Sequence, residues 1–295
     1  MSQVLVIGRV LRRSPQLLAT AFSPRRNAVA SAQGLSLLRR HWRLILEMAR
    51  EELVGKYRGE FLGSAWALIH PLAMTAVYLF IFGVVFAQRA AGTREMPLDY
   101  TAYILSGLIP WLTFQLAMQS SVNAITNNAP LVKQFVFPVE VLPSRDVAAS
   151  LLTWVVGIVS TLLYIGVREG AMSWTWALLP LVLAAQILAM LGVAFLFSAV
   201  AVFFRDLKDF INLFCLVAVF LMPIVYLPGW VPDIFKPILW VNPFTYMVWV
   251  YQDTIYFGRI AHPLAWLIFL ASAPLIFAWG VRLFRTSKPM FSSLL

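Results

Sequence analysis

Long apolar runs alternate with short polar segments along most of this chain. Six runs, over 65–87, 103–121, 147–167, 177–203, 211–227 and 264–281, contain no Asp, Glu, Lys or Arg. About twenty apolar residues, with a lower limit near 17, carry a helix across the hydrocarbon core of a bilayer. The pattern therefore predicts an all-α polytopic membrane protein with six transmembrane helices. Transporters driven by protons or sodium usually keep an ionisable side chain at membrane depth, where it costs roughly 2.5–3.5 kcal/mol. The six runs hold no acid and no strong base, so the energy for any transport is expected to come from a partner.

Composition agrees with the pattern. The chain is 61% hydrophobic and 12% charged, with a mean hydropathy of +0.80, whereas a soluble domain is about 25% charged. The net charge of +10 does not mark a nucleic-acid binder, because the basic residues are not gathered into a patch interleaved with stacking aromatics. They follow membrane topology instead. An even number of spans puts both termini on one side, and with that side cytoplasmic the inner segments hold 18 Lys and Arg against 5 outside. Leaving out the first 33 residues, the split is still 13 to 5. The positive-inside rule then orients the chain with both termini in the cytoplasm. The single cysteine, Cys215, lies in an apolar run and permits neither an internal disulfide nor a thiolate metal cluster.

The segment ahead of the first run divides in two. Residues 1–34 are rich in Arg and free of acids up to residue 33, a composition shared by organelle transit peptides and by basic tails. They are read as a disordered cytoplasmic tail, and no cleaved secretory signal is expected. Over 35–60 the spacing becomes that of an amphipathic helix, with Leu38, Trp42, Ile45, Ala49 and Leu53 on one face. Two readings stand for it. It is an interfacial anchor, or it is a docking surface for a cytoplasmic protein, since Glu47 and Glu51 would be repelled by anionic lipid. Gly55, Gly59 and Gly63 follow at intervals of four. They suit either close helix packing or a hinge between the interfacial helix and the first span.

Two inner connections and one outer segment carry further information. The inner connection 123–145 is unusually apolar, with Leu131, Val132, Phe135, Val136 and Phe137 beside Lys133, which suits a short helix seated in a groove of a partner. The inner connection 204–210 carries Phe204, Arg205 and Asp206; on spacing alone the last two are a solvated pair at a helix end. The outer segment 228–257 is aromatic yet broken by four prolines. Irregular apolar backbone at membrane depth survives only when buried in protein or lining a cavity, so two short re-entrant helices are expected, the second capped by Asn242 with Pro243 as its first residue. Trp230, Trp240, Tyr246, Trp249, Tyr251 and Tyr256 in this segment form either an aromatic belt at the headgroup level or a gate and pathway whose flat ring faces stack on what passes through.

Several short motifs in this order resemble one family. Tyr57-Arg58-Gly59, then Leu62-Gly63, Trp66 and Pro71 resemble the entry to the first span of the polysaccharide-export permeases of ATP-binding-cassette transporters, which export O-antigen, capsule and teichoic acid chains. Phe137-Pro138 with Pro143, Phe204-Arg205-Asp206, Asn242-Pro243 and Tyr251-Gln252-Asp253 continue the likeness, which covers residues 37–285. Glu60 and Gln252 depart from the family pattern; Gln252 stands where an arginine is expected. The resemblance implies a homodimeric permease in the bacterial inner membrane. It also implies two copies of a cytoplasmic ATPase carrying the ATP and Mg, and a lipid-linked polysaccharide, foremost an O-antigen, as substrate. By the same resemblance the two inner connections are coupling helices, 57–63 is the entry to the first span, where the glycine spacing offers a hinge at Tyr57, Arg58, Gly59 and Gly63, and 228–257 is the outer gate. The domains expected are the tail 1–34, the interface helix 35–60, the transmembrane domain 61–285 and a C-terminal tail 286–295.

Independently of any resemblance, no two glycines stand five apart, so the phosphate-binding loop G-x-x-x-x-G-K-[ST] is absent from this chain. Nucleotide must be bound elsewhere, and no cofactor is expected here. Two other classes remain open at this stage. An intramembrane enzyme acting on lipid-linked sugars would need paired outward acids, whereas Glu95, Asp99, Glu169, Asp233 and Asp253 are dispersed, as are His41, His70 and His262. A drug or lipid exporter of the same architecture would differ in having a more apolar pathway.

Overall fold

A computed structural model of the chain describes residues 23–85, 98–134, 137–170 and 173–295. Among these residues it is all-helical, with ten α-helices joined by short 3-10 and π turns. They are α1 (Pro24–Lys56), α2 (Trp66–Phe80), α3 (Tyr100–Ser121), α4 (Ala129–Gln134), α5 (Val141–Glu169), α6 (Leu179–Ala201), α7 (Leu207–Ala218), α8 (Lys236–Val241), α9 (Pro243–Gln252) and α10 (Pro263–Leu294).

α3 runs through the centre. Most of it is buried, and α5, α6 and α9 pack around it, whereas α2 is the least covered of the long helices. Apolar burial drives little of this packing in a membrane, because lipid tails are as apolar as leucine; close backbone approach and interhelical hydrogen bonds replace it. α6 and α10 run side by side in the same direction and touch closely at Gly192 and Gly280. A Cβ on Gly192 would stand 2.5 Å from the Ile276 carbonyl carbon, and one on Gly280 only 2.1 Å from the Gly192 oxygen. At the upper end of the bundle, Asp99 caps α3 by accepting from Ala102 N at 2.9 Å and pairs with Arg168 at the end of α5. At the lower end, Lys288 of α10 reaches both carboxylate oxygens of Glu140 at 2.8 Å.

Among the described residues, five helical stretches are long and apolar enough to cross a membrane: Gly63–Val85, Tyr100–Ser121, Val141–Arg168, Trp174–Ala201 and Pro263–Leu294. The expectation of six continuous spans is thus corrected at 211–227. α7 has 12 residues, a rise of about 18 Å, and ends in a 3-10 turn, after which Met222 is extended (φ −125, ψ 152). Pro223 explains the break, since the residue before a proline is pushed out of the helical region. The chain from Leu207 still travels the length of the bundle. Phe214 meets Trp111 halfway along α3, and the extended strap beyond Leu221 reaches the tyrosines at the top of α3.

The strap carries carbonyls that helix geometry would have satisfied. Side chains do so instead. Tyr103 Oη donates to Pro223 O at 3.0 Å and Tyr226 O at 3.2 Å, Tyr100 Oη to Val225 O at 2.5 Å, Gln252 Nε2 to Pro223 O at 2.8 Å and Asn242 Nδ2 to Leu221 O at 3.2 Å.

Two ends differ from the boundaries expected. α1 begins at Pro24 rather than near residue 35, because its first turns are held by α10: Gly34 fits under Phe277 and Val281, and Arg282 Nη1 donates to Asn27 Oδ1 at 2.8 Å. α1 bends at His41 (φ −110, ψ 16), between that contact and the Glu52–Arg145 pair. α10 runs on to Leu294, so residues 286–294 continue the last helix.

Removing the Tyr103 hydroxyl tests the strap. Tyr103→Phe leaves Tyr226 O without its described donor and Pro223 O with Gln252 alone, at a cost of about 1–3 kcal/mol. The variant is expected to unfold at a lower temperature and to be cleaved faster within 222–227; thermal and proteolytic stability equal to the parent's would mean that the strap does not depend on this donor.

Candidate functional site

The upper aromatic segment is built as the sequence proposed in outline. α8 and α9 are two short helices, and Asn242 Oδ1 accepts from Phe244 N at 3.0 Å as the cap of α9. The six aromatics singled out there do not form one surface. Trp240, Tyr246 and Trp249 meet, with ring centroids 5.0 and 5.9 Å apart, and Tyr246 Oη donates to Trp240 O at 2.5 Å. His262 stacks flat on Trp249 at 5.1 Å. Trp240 is half-exposed whereas Trp249 is 3% exposed, so the outer part of this cluster is presented and its base is locked. Trp230, also half-exposed, lies elsewhere, against Tyr100 at 6.1 Å.

Tyr251 and Tyr256 face the interior. Trp154 Nε1 donates to Tyr251 Oη at 2.9 Å, Tyr251 Oη to Gln186 Oε1 at 2.5 Å, and Gln186 Nε2 to Pro110 O at 3.0 Å, tying α9 to α5, α6 and α3. Tyr256 Oη donates to Leu98 O at 2.8 Å, and its ring meets Tyr103 at 5.3 Å. Sequence reasoning missed Tyr100, Tyr103 and Gln186, which hold the segment from below. For Tyr103 and Gln186 the signal was present, as polar groups inside otherwise apolar runs.

Asp253 is buried and fully engaged. It accepts from His262 N at 2.9 Å and Trp266 Nε1 at 3.0 Å, and its other oxygen lies 2.8 Å from His262 Nδ1. This clamp anchors the turn between α9 and α10. Asp233 is exposed, and the hydrogen bond and charge of Lys236, 2.5 Å away, hold its carboxyl below the usual carboxylate range. With Asp99 committed to its cap, the outer acids whose side chains are described stand in separate places, each with its own partner, and do not converge as an acid/base pair. Glu95 lies outside the described residues.

At the lower end, Phe204 is 58% exposed, and Arg205 and Asp206 are exposed beside it without an ion-pair partner among the described residues. α4 is the short helix expected, but its Leu131 and Val132 pack against the protein's own core while Lys133 is exposed. Phe135 lies outside the described residues. Glu47 and Glu51 are exposed on α1, Glu51 pairing only with Arg58 at 3.4 Å, and Trp42, expected on the apolar face, is half-exposed. Tyr57 and Arg58 enter a turn in which Gly59 (φ +93) and Gly63 (φ +49) adopt left-handed backbone, with open space where a Cβ would stand. Of the two readings of the glycines, a turn between α1 and the first span is observed in place of a helical packing face.

Comparison with known proteins places these features. A protein-family model described as "ABC-2 type transporter" matches residues 43–256. The chain is 26% identical over 254 residues to the O-antigen export system permease protein RfbA of Klebsiella pneumoniae, covering 85% of this chain and 95% of that protein. It is 26% identical to the protein of the same name from Myxococcus xanthus, covering 84% and 94%. It is 27% identical to the polysialic acid transport protein KpsM of Escherichia coli, covering 79% and 88%. The family match takes in the turn after α1, the central helix α3, the strap and the aromatic segment up to Tyr256, and with it this multi-span membrane chain belongs to the ABC-2 type transporter family, as a transport subunit without a nucleotide-binding domain of its own.

Proposed function

We propose that the chain is the permease of a polysaccharide exporter in the bacterial inner membrane, working as a homodimer with two copies of a separate ATPase that carries ATP and Mg. The observation that carries this reading is similarity along nearly the whole chain to proteins named for O-antigen export and polysialic acid transport. A lipid-linked O-antigen is the substrate proposed. The physical features point the same way. α3 occupies the centre of a single protomer, where a conduit would otherwise run, so the pathway is assigned to the junction between two copies. α2 and α7 present apolar faces, including Val77, Phe80, Leu213 and Leu216, that the protomer leaves exposed. The half-exposed Trp230 and Trp240, with Tyr246, offer flat faces on which sugar rings stack.

The orientation proposed has both termini and Lys133 in the cytoplasm, from the charge split along the sequence. A cysteine placed at position 133 in a Cys215→Ser background should resist a membrane-impermeant maleimide in intact cells and react after permeabilisation; labelling from outside overturns the orientation.

Cells lacking the protein should retain completed polymer on its lipid carrier inside the inner membrane, at near-complete loss of the surface polysaccharide. Unchanged surface polymer, or loss of resistance to small apolar compounds instead, overturns the substrate class.

Phe204, Arg205 and Asp206 are proposed as a contact for the ATPase, because they are exposed and the charges of Arg205 and Asp206 have no ion-pair partner among the described residues. Arg205→Glu is expected to leave insertion and thermal stability unchanged, since surface substitutions cost within about 0.5 kcal/mol. Reversing a charge at an interface costs about 2–5 kcal/mol when that charge is paired across it. Export and copurification of the ATPase should therefore fall by an order of magnitude or more. Normal export at matched expression would remove this loop from the coupling surface.

A further inference from the structure

The lower half of the protomer holds a pocket of about 530 Å³, between the end of α1, the outward helix α2, and the lower halves of α3 and α5. That volume lies within the roughly 300–1,000 Å³ range of small-molecule sites. It is separate from the aromatic segment at the upper end. Its lining is unlike a lipid-facing groove.

Gln115, Gln119, Asn123 and Asn127 recur every four residues along α3 and the turn beyond it, and all four line this pocket. At a rise of 1.5 Å per residue the stripe is about 18 Å long. None of the four side-chain amides makes a hydrogen bond to another described residue, whereas neighbouring Asn128 is satisfied by Ala124 O at 2.8 Å. Polar groups facing a cavity within an apolar span are costly unless something meets them. Each amide offers two N–H donors and a carbonyl acceptor, the complement of a hydroxyl that both donates and accepts.

The charges of the lining narrow the chemistry. Arg145 stands 3.3 Å from Glu52 and 3.4 Å from Asp146, and Lys56 is the remaining cation at the rim. Two carboxylates thus line the site together with two cations, so it is not built around a cluster of one charge. His70 also lines it and can donate or accept at its ring. Beyond the amides the wall turns apolar at Met74, Leu112 and Leu116, and Leu116 is exposed. A polar group seated on the amides could therefore remain attached to an apolar chain leaving sideways past α2.

We propose that this pocket binds an uncharged sugar unit at the lipid-linked end of the exported chain, with Gln115, Gln119 and Asn123 meeting its hydroxyl or acetamide groups. This rests on the proposed function, since a pocket open toward both the lower end and the lipid is where a lipid-borne saccharide would be met before export.

The test uses the permease purified with its ATPase in lipid nanodiscs and three probes. These are a polyprenyl diphosphate bearing one N-acetylglucosamine, the same lipid without sugar, and free N-acetylglucosamine. The sugar-bearing lipid should raise the unfolding midpoint by several degrees, well above the shift from the bare lipid. The double variant Gln119→Leu/Asn123→Leu should weaken its binding at least about tenfold, the equivalent of one to two lost neutral hydrogen bonds. Ala67→Trp, on the loosely packed α2, fills the pocket without removing an amide and should weaken binding similarly while leaving ATP hydrolysis and assembly intact. Equal shifts from lipid with and without sugar would assign recognition to the diphosphate or the lipid and overturn the proposal. So would the absence of any shift, or wild-type affinity in either variant. These outcomes leave the export reading standing, because that reading fails only if cells lacking the protein display their polysaccharide normally.

Discussion

Backbone carbonyls at membrane depth must find donors, and the extended strap from Met222 to Leu227 is where this protein meets that requirement without a helix. Pro223 ends the helical path that begins at Leu207, and the carbonyls released are taken by Tyr100 and Tyr103 of α3, Gln252 of α9 and Asn242 between α8 and α9. The remaining upper architecture follows from these bonds. They fix α3 beneath the strap, bring α9 against α3, and leave Trp230 beside Tyr100. A second helix in this position would have satisfied its own carbonyls and had no need of α9.

The interior polar groups are neutral almost throughout. The Trp154–Tyr251–Gln186 chain joins four helices without a formal charge, and the buried Asp253 is answered by His262 and Trp266. Neutral hydrogen bonds in a membrane are individually modest, averaging about 0.6 kcal/mol, but they are directional and set which face of α9 turns inward. The upper segment is therefore a positioned platform with an exposed aromatic rim. The lower end contrasts with it. Its ion pairs, Glu140–Lys288 and Glu52–Arg145, knit the inner connections to α10 and α1, while Phe204, Arg205 and Asp206 stay outside that network.

Gln252 illustrates how a departure from a family pattern is absorbed. Where an arginine was expected, the amide reaches Pro223 O from a fully buried position. A guanidinium there would need a counter-charge, which the described surroundings of the strap lack; a neutral amide donates to the same carbonyl at lower desolvation cost.

Hydrophobic runs and charge distribution by themselves determined that this is a multi-span helical membrane protein, and the spacing of its glycines excluded the phosphate-binding loop. The first conclusion depends on composition over twenty-residue windows and the second on a fixed local spacing, neither of which packing detail alters. The sequence also located the cap at Asn242, the turn around Gly59 and the aromatic segment, because each rests on local backbone chemistry. It overcounted continuous spans, since an apolar window registers length and not the break a proline makes. Which aromatics face outward, which glycines turn the chain and which allow helices to touch, and where the amides of α3 and of the turn beyond it meet a pocket were decided by the tertiary structure alone. A side chain's partner is set by the rotation of its helix against neighbours far away in sequence, and in a span that is apolar all round no amphipathic stripe records that rotation.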